Sequence, residues 1–318
     1  MSIACAVVMD PINAINTAKD STFAMLLEAQ RRGYGLHYIK PRSLSVRNGQ
    51  AWALMANLKV ADSIENWFVL DEFAARPLSE VQVVLMRTDP PVDSHYLHDS
   101  HILSLAQKDG VLIVNDPQGL RDLNEKLAAL LFPQCCPETL VSRDNAELKA
   151  FVESHGEAVL KPLDGMGGRS IFRASSRDPN LNVILETLTD GGRSLTMAQR
   201  YIAEITEGDK RILMIEGEPV PYCLARIPQG NEFRGNLAAG GRGEGRPLSD
   251  RDRWIAAQVG PELRKRGMIF VGLDVIGNYL TEVNVTSPTC IRELDKQFGL
   301  NIAGQLFDAI EVRLERQS

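Results

Sequence analysis

The most constraining stretch of this sequence is residues 269–292, where apolar, β-branched runs flank Gly277-Asn278. Such a pattern predicts a β-hairpin. Three oxygen-bearing side chains, Asp274, Glu282 and Asn284, interrupt the apolar runs. Carboxylates in an apolar hairpin are costly to bury unless a cation or hydrogen-bond donors compensate them. Carboxylate and amide oxygens are hard ligands, suited to an Mg²⁺ that also holds phosphates. The pattern also fits a half-buried hairpin whose acids face water, and both readings stay open here. Parity sharpens the choice, because directly opposed residues share a face. A two-residue turn at Gly277-Asn278 would pair Leu273 with Glu282 and put Asp274 on the other side. A three-residue turn, ending at Tyr279, would pair Asp274 with Glu282 and keep Asn284 beside them. A metal site on this hairpin therefore predicts a loop of odd length.

Upstream, residues 3–8 form a short continuous apolar run, as expected of a strand covered on both faces. Ser21 is positioned to cap a helix closed at Gly33, and 36–39 resumes as strand. Further strands are predicted at 81–86 and 111–114, with helical segments between. This alternation implies an open α/β sheet, whose ligands sit beyond the carboxyl ends of the strands. Asp10, Arg87 and Asn115 each follow a predicted strand and are site candidates, although the prolines nearby also mark plain turns. His95, His98 and His101 could share a helix face, but no Cys or carboxylate completes a recognisable zinc set.

A proline-bounded break at 133–137 starts a second unit, with a helix at 146–152 and a strand at 158–161. Lys161 then leads into Asp164-Gly165-Met166-Gly167-Gly168. Glycines at this density let backbone N–H groups approach an anion, and Lys161 adds a point charge. The loop matches neither the P-loop nor the dinucleotide fingerprint, and a plain turn would look similar. Residues 197–202 read as a strand and linker with backbone groups available to an adenine edge. Asp209, Lys210 and Arg211 precede a strand at 212–215, and another at 219–225 ends at Arg226. The glycine-rich segment 227–246, with Arg234, Arg242 and Arg246, is expected to be irregular and to act as a lid. A helix over 302–313 ends the chain.

With 318 residues, 44% of them hydrophobic and 24% charged, the chain can bury a sizeable core in two or three subdomains. Its net charge of −6 disfavours a general nucleic-acid or anionic-membrane surface. Cys5, Cys135, Cys136, Cys223 and Cys290 are odd in number and lack paired ligand spacing. With no signal-like start and no apolar run of transmembrane length, the expected home is the cytoplasm.

In this order the pieces resemble the ATP-grasp ligases, and within them the bacterial glutathione synthetases. The matching runs are 8–11, 20–34, 86–91, 160–168, 218–230, 234–244 and 281–292, so the likeness covers nearly the whole chain. The resemblance implies a mixed α/β ATP-grasp fold behind an N-terminal open α/β domain. The expected division is 1–122 as the N-terminal domain, 123–200 as the central subdomain, and 201–318 as the C-terminal subdomain carrying the metal hairpin. It further implies ATP-driven ligation of γ-glutamylcysteine to glycine through an acyl phosphate, with Mg²⁺, or Mn²⁺ in its place. Lys126 and Lys161 would neutralise phosphates, and Arg211 and Arg226 would stabilise the acyl-phosphate and tetrahedral species. ATP would also meet Asp164, Gly165, Met166, Gly167, Gly168, Gln199, Tyr201, Ile202, Asp209 and Asn284. Asp10, Arg87, Arg226, Arg234, Ser287, Pro288 and Thr289 would hold the peptide substrate. The metal would sit on Asp274, Glu282 and Asn284. Gln199 departs from the glutamate that many relatives place at the adenine linker, which shifts that contact toward backbone. A homotetramer is implied, with no nucleic-acid or membrane partner. Two alternatives remain at this point: another ATP-grasp amide ligase, or a catalytically silent nucleotide-binding module.

Overall fold

The computed structural model describes residues 3–230, 232–235, 237 and 240–317. β1 (Ala4–Val8) runs parallel to β2 (Gly35–Ile39), and between them lies α1 (Ser21–Arg31). The cap of α1 is Asp20, whose Oδ1 accepts the Phe23 amide at 2.6 Å, not Ser21. Ser21 Oγ instead accepts the Ile291 amide at 3.1 Å, so its hydroxyl ties the helix to a distant segment.

Helix was expected after β2, but the chain builds β3 (Ser45–Arg47), β4 (Gln50–Val60), β5 (Phe68–Leu70) and β6 (Ala74–Pro77). All three of the others pair antiparallel to β4. Along β4, burial alternates with a period of two over most of its length. The strand is nevertheless spelled with Ala, Leu and Met, which favour helices, and this spelling hides the period. β7 (Val83–Met86) and β8 (Leu112–Val114) complete the sheet in parallel, joined by α2 (Ser94–Lys108). His95, His98 and His101 lie exposed on α2. A short α3 (Pro117–Asp122) leaves this sheet.

A second sheet comprises β9 (Thr139–Ser142), β10 (Glu157–Pro162), β11 (Phe172–Ser175) and β12 (Thr196–Arg200), in the order β11-β10-β12-β9. Against it pack α4 (Asn145–His155) and α5 (Leu181–Leu188). Leu148, Val152, Leu160, Leu185 and Ala198 form a separate apolar cluster there.

A third sheet holds β13 (Asp209–Ile215), β14 (Glu218–Ile227), β15 (Arg242–Pro247), β16 (Phe270–Ile276) and β17 (Tyr279–Asn284), with α6 (Asp250–Lys265) packed against β14. β15 occupies part of the segment expected to be irregular, pairing with β14 from Tyr222–Pro247 to Ile227–Arg242. The irregular stretch is thus shorter than expected, and its residues 231, 236, 238 and 239 lie outside those described. α7 (Ile291–Phe298) and α8 (Ile302–Gln317) end the chain. This sheet shares both large apolar clusters with the first. Ala6, Val84 and Met86 pack with Met214, Leu273 and Val283, and Phe23 and Leu85 with Leu213, Leu306 and Phe307. A charged clasp reinforces the join. Arg32 reaches Asp308 at 2.7 Å and Glu311 at 3.1 Å, while the Tyr34 ring meets Phe307 edge-on.

Candidate active site

The hairpin β16–β17 sets the centre of the site. Asp274 pairs with Glu282 and Gly272 with Asn284, so the three oxygen-bearing side chains share a face. The route to that parity differs from expectation. Ile276 pairs with Tyr279, so the turn holds only Gly277 and Asn278, with Gly277 at φ +55. A bulge then leaves Thr281 unpaired between Leu280 and Glu282, supplying the odd residue that the turn lacks.

Two cavities meet at this hairpin. The first lies between the second and third sheets. Lys126, Lys161, Gly165, Met166, Gly167, Gly168, Gln199, Tyr201, Ile202, Asp209 and Arg234 all line it. The second is lined by Arg211, Arg226, Asn284, Ser287, Pro288 and Thr289. Gly165, Met166, Gly167, Asp274 and Glu282 belong to both. Asp164, Arg87 and Asp10 line neither.

On the first side, Lys126 Nζ donates to the Gly165 carbonyl at 2.6 Å and stands 3.8 Å from Glu282 Oε1. Lys161 Nζ is 3.5 Å from the same oxygen and 3.4 Å from the Thr281 carbonyl. Burial pushes the Lys161 pKa down, with Glu282 opposing. Gly167 and Gly168 adopt φ of +63 and +80, a conformation that side chains resist. Gln199 Nε2 donates to Thr139 Oγ1 at 3.2 Å. Arg234, expected on the peptide, lines the first cavity instead and donates to the Gly168 carbonyl at 2.7 Å.

Between the cavities runs a row of alternating charges. Asp209 Oδ2 meets Arg226 at 2.5 Å, Arg226 meets Asp274 Oδ2 at 2.9 Å, and Arg211 meets Asp274 Oδ1 at 2.5 Å. Burial alone would raise the Asp274 pKa, but Arg211 and Arg226 outweigh it and hold the carboxyl well below the usual range. Burial pushes Asp209 upward against the pull of Arg226. Both Asp274 oxygens are therefore already committed to guanidinium groups. Glu282 is held less firmly, by two ammonium groups at longer range, and Asn284 uses only its Nδ2, donating to Gly272 O at 3.2 Å.

The strand-end candidates of the first sheet hold backbone. Arg87 donates to Thr22 Oγ1 at 3.0 Å and to the Pro288 carbonyl at 2.9 Å, and burial pushes its pKa down to about 10. Asn115 Nδ2 donates to the Phe270 and Val285 carbonyls, both at 2.7 Å, joining the two arms of the hairpin. Asp10 accepts the Asp89 amide at 2.9 Å. They act behind the walls of the second cavity. Asp89 and Glu125 line that cavity and are not singled out by the sequence. The available signal is adjacency, since Asp89 lies in the run 86–91 and Glu125 precedes Lys126.

Residues 3–121 match the family described as prokaryotic glutathione synthetase, N-terminal domain, and residues 125–299 match its ATP-grasp domain. The chain belongs to the prokaryotic glutathione synthetase family. It is 73% identical to the glutathione synthetase of Xanthomonas axonopodis pv. citri, covering 98% of each chain. Identity to that of Escherichia coli K12 is 57%, covering 99% of this chain and 100% of the relative. Among solved structures, a D-cycloserine synthetase superposes with a TM-score of 0.67 at 14% identity, covering 98% and 99% of the two chains. An ATP-grasp ligase complexed with a precursor variant, Mg and ADP superposes at 0.59 and 17% identity, covering 100% and 99%. At such identities these two likenesses concern the ATP-grasp fold alone. The residues lining the first cavity all fall within the matched ATP-grasp domain, between the glycine loop and β16–β17.

Proposed function

We propose that this chain makes glutathione, joining γ-glutamylcysteine to glycine at the expense of ATP through an acyl phosphate. The observation that carries this reading is the pair of cavities meeting at Gly165–Gly167, Asp274 and Glu282. ATP in the first cavity points its γ-phosphate at the junction, and the cysteinyl carboxylate meets it from the second. A carboxylate is a poor electrophile, and phosphorylation gives it a leaving group. The amine of glycine then displaces phosphate. Phosphoryl transfer needs positioning and neutralised charge more than covalent help from protein. Lys126 and Lys161 supply positive charge on the nucleotide side, and Arg211 and Arg226 supply it on the peptide side. Ser287 and Thr289 are placed to orient the peptide, with Arg87 fixing the backbone that carries them.

The donor set suits Mg²⁺ or Mn²⁺. Glu282 and Asn284 present oxygens on one face of β17, whereas Asp274 must share its oxygens with Arg211 and Arg226. Held by Glu282 and Asn284, such a cation would supply Lewis-acid charge neutralisation to the phosphoryl group. Assembly as a homo-oligomer, a tetramer by resemblance, and a cytoplasmic location belong to the same proposal.

The test is an assay with ATP, γ-glutamylcysteine and glycine that counts ADP and glutathione together. Equal amounts of both are expected, with ADP release low when the peptide is omitted. ADP release without glutathione, or a ligated product only from other amino acids, would remove this reading.

A further inference from the structure

Glu125 stands between α3 and Lys126, at the rim of the second cavity. Its Oε1 accepts three donors where the chain leaves β17: the Val285 amide at 2.9 Å, the Thr286 amide at 3.1 Å and Thr286 Oγ1 at 2.9 Å. Its backbone carbonyl accepts the Val283 amide at 2.8 Å. One carboxylate oxygen is thus saturated, while Oε2 takes no donor among the described residues. A carboxylate clamped on one side and bare on the other is short of a donor, and a cationic one suits it best. Burial pushes its pKa upward, against the bonds from Thr286, so an arriving cation would relieve a real cost.

Two acids line the second cavity without also lining the first: Glu125 and Asp89. The reaction proposed above, on which this inference rests, brings two ammonium groups into that cavity, one on the glutamyl residue and one on glycine. Their distances from the junction differ. The attacking nitrogen must come within bonding reach of the acyl carbon, whereas the glutamyl ammonium is separated from that carbon by the rest of the dipeptide. Glu125 feels the charges of Glu282, which lines both cavities, and of its chain neighbour Lys126, whose Nζ stands 3.8 Å from Glu282 Oε1. Asp89 is tied to Asp10 through its amide and to the Ser287 hydroxyl through its carboxylate.

We propose that Glu125 Oε2 binds the ammonium of the incoming amino acid and sets its nitrogen beside the acyl phosphate, leaving Asp89 for the glutamyl ammonium. The role is substrate binding: the bound ammonium gives one proton to solvent before its nitrogen attacks the acyl carbon, the new C–N bond replaces the C–O bond to phosphate, and the second proton leaves with the phosphate.

Glu125→Gln isolates this role. The glutamine Oε1 can keep all three donors of the hairpin exit, while an NH₂ group replaces the bare oxygen and opposes a cation. The KM for glycine should rise ~10²-fold, the loss of one charge-assisted bond. The kcat at saturating glycine should fall as well, because the nitrogen is no longer held beside the acyl phosphate, while the KM values for ATP and γ-glutamylcysteine should hold. An unchanged glycine KM, or a rise in the KM for γ-glutamylcysteine instead, overturns the assignment. If the variant melts far below wild type, Glu125→Asp decides in its place, because it withdraws the charge by one methylene without removing it. Its glycine KM should rise alone, and a glycine KM that does not move overturns the proposal. Wild-type enzyme that makes no glutathione would instead sink the proposed function before any variant is compared.

Discussion

The sheet spanning residues 139–200 closes on its own apolar cluster, whereas the first and third sheets close on each other. The cluster around Leu148 and Leu160 has no member outside its own sheet and two helices. The two larger clusters draw from the N-terminal and C-terminal sheets alike. One wall of the first cavity is thus carried by a unit that can shift without opening a shared core. Much of the second cavity belongs to the fused body, where Arg87 and Asn115 bind its backbone across sheets. The difference teaches how one molecule can set an adaptable cavity beside a fixed one. Adaptability is concentrated around the first cavity, and rigidity around the second.

The largest effect should come from cutting each core in turn. Leu160→Ala and Leu306→Ala both empty a fully buried site, for which losses of about 2–5 kcal/mol are usual. Leu306→Ala should lower the melting temperature of the whole protein. Leu160→Ala should chiefly open the unit 139–200, seen as faster hydrogen exchange and proteolysis there while the rest stays protected. Equal exchange throughout the Leu160→Ala chain would mean that the unit is not separate.

A smaller effect is expected at the tip of the same unit. Gly167→Val puts a β-branched side chain at a φ of +63, between the two cavities. The KM for ATP should rise about tenfold or more with melting unchanged. Normal ATP kinetics would reduce the glycines to a plain turn.

The smallest effect concerns Glu28, whose carboxylate holds the clasp residue Arg32 at 2.7 Å from one turn earlier. Hydrogen bonds from Arg31 and Arg32 hold Glu28 at about 2, against an ordinary 4.5. A carboxyl whose pKa is depressed by folding stabilises the protein above its unfolded pKa and loses that contribution as pH falls toward the folded value. Melting should therefore drop more steeply from about pH 5 to about pH 3 in wild type than in Glu28→Gln. Parallel curves would show that the Glu28 pairing contributes nothing there.

Much of this was legible in the sequence because the chemistry is written locally. The glycine loop, the lysine before it and the three oxygen-bearing side chains of the hairpin each lie in one short run. What escaped was whatever depends on distant partners. Nothing near Arg87 or Asn115 says that their side chains will be spent on backbone carbonyls of residues 270–288. The commitment of Asp274 to Arg211 and Arg226 is likewise a product of sheet order. β4 was hidden for another reason, since Ala, Leu and Met favour helix until neighbouring strands override them.

The bulge at Thr281 separates two things that strands ordinarily keep together, the count of residues and the direction in which they aim. In an unbroken ladder, losing one residue turns every later side chain to the wrong face. Here the surplus residue is the one to lose. Without Thr281, Leu280 would still oppose Val275 and Glu282 would still oppose Asp274, so the face carrying Asp274, Glu282 and Asn284 would survive the deletion. An inserted residue between Leu280 and Glu282 would restore no pairing and would displace both Glu282 and Asn284. The hairpin is thus asymmetric toward changes of length, forgiving a shortening and punishing a lengthening. What a shortening would cost is the Thr281 carbonyl, the neutral oxygen on which Lys161 rests beside Glu282.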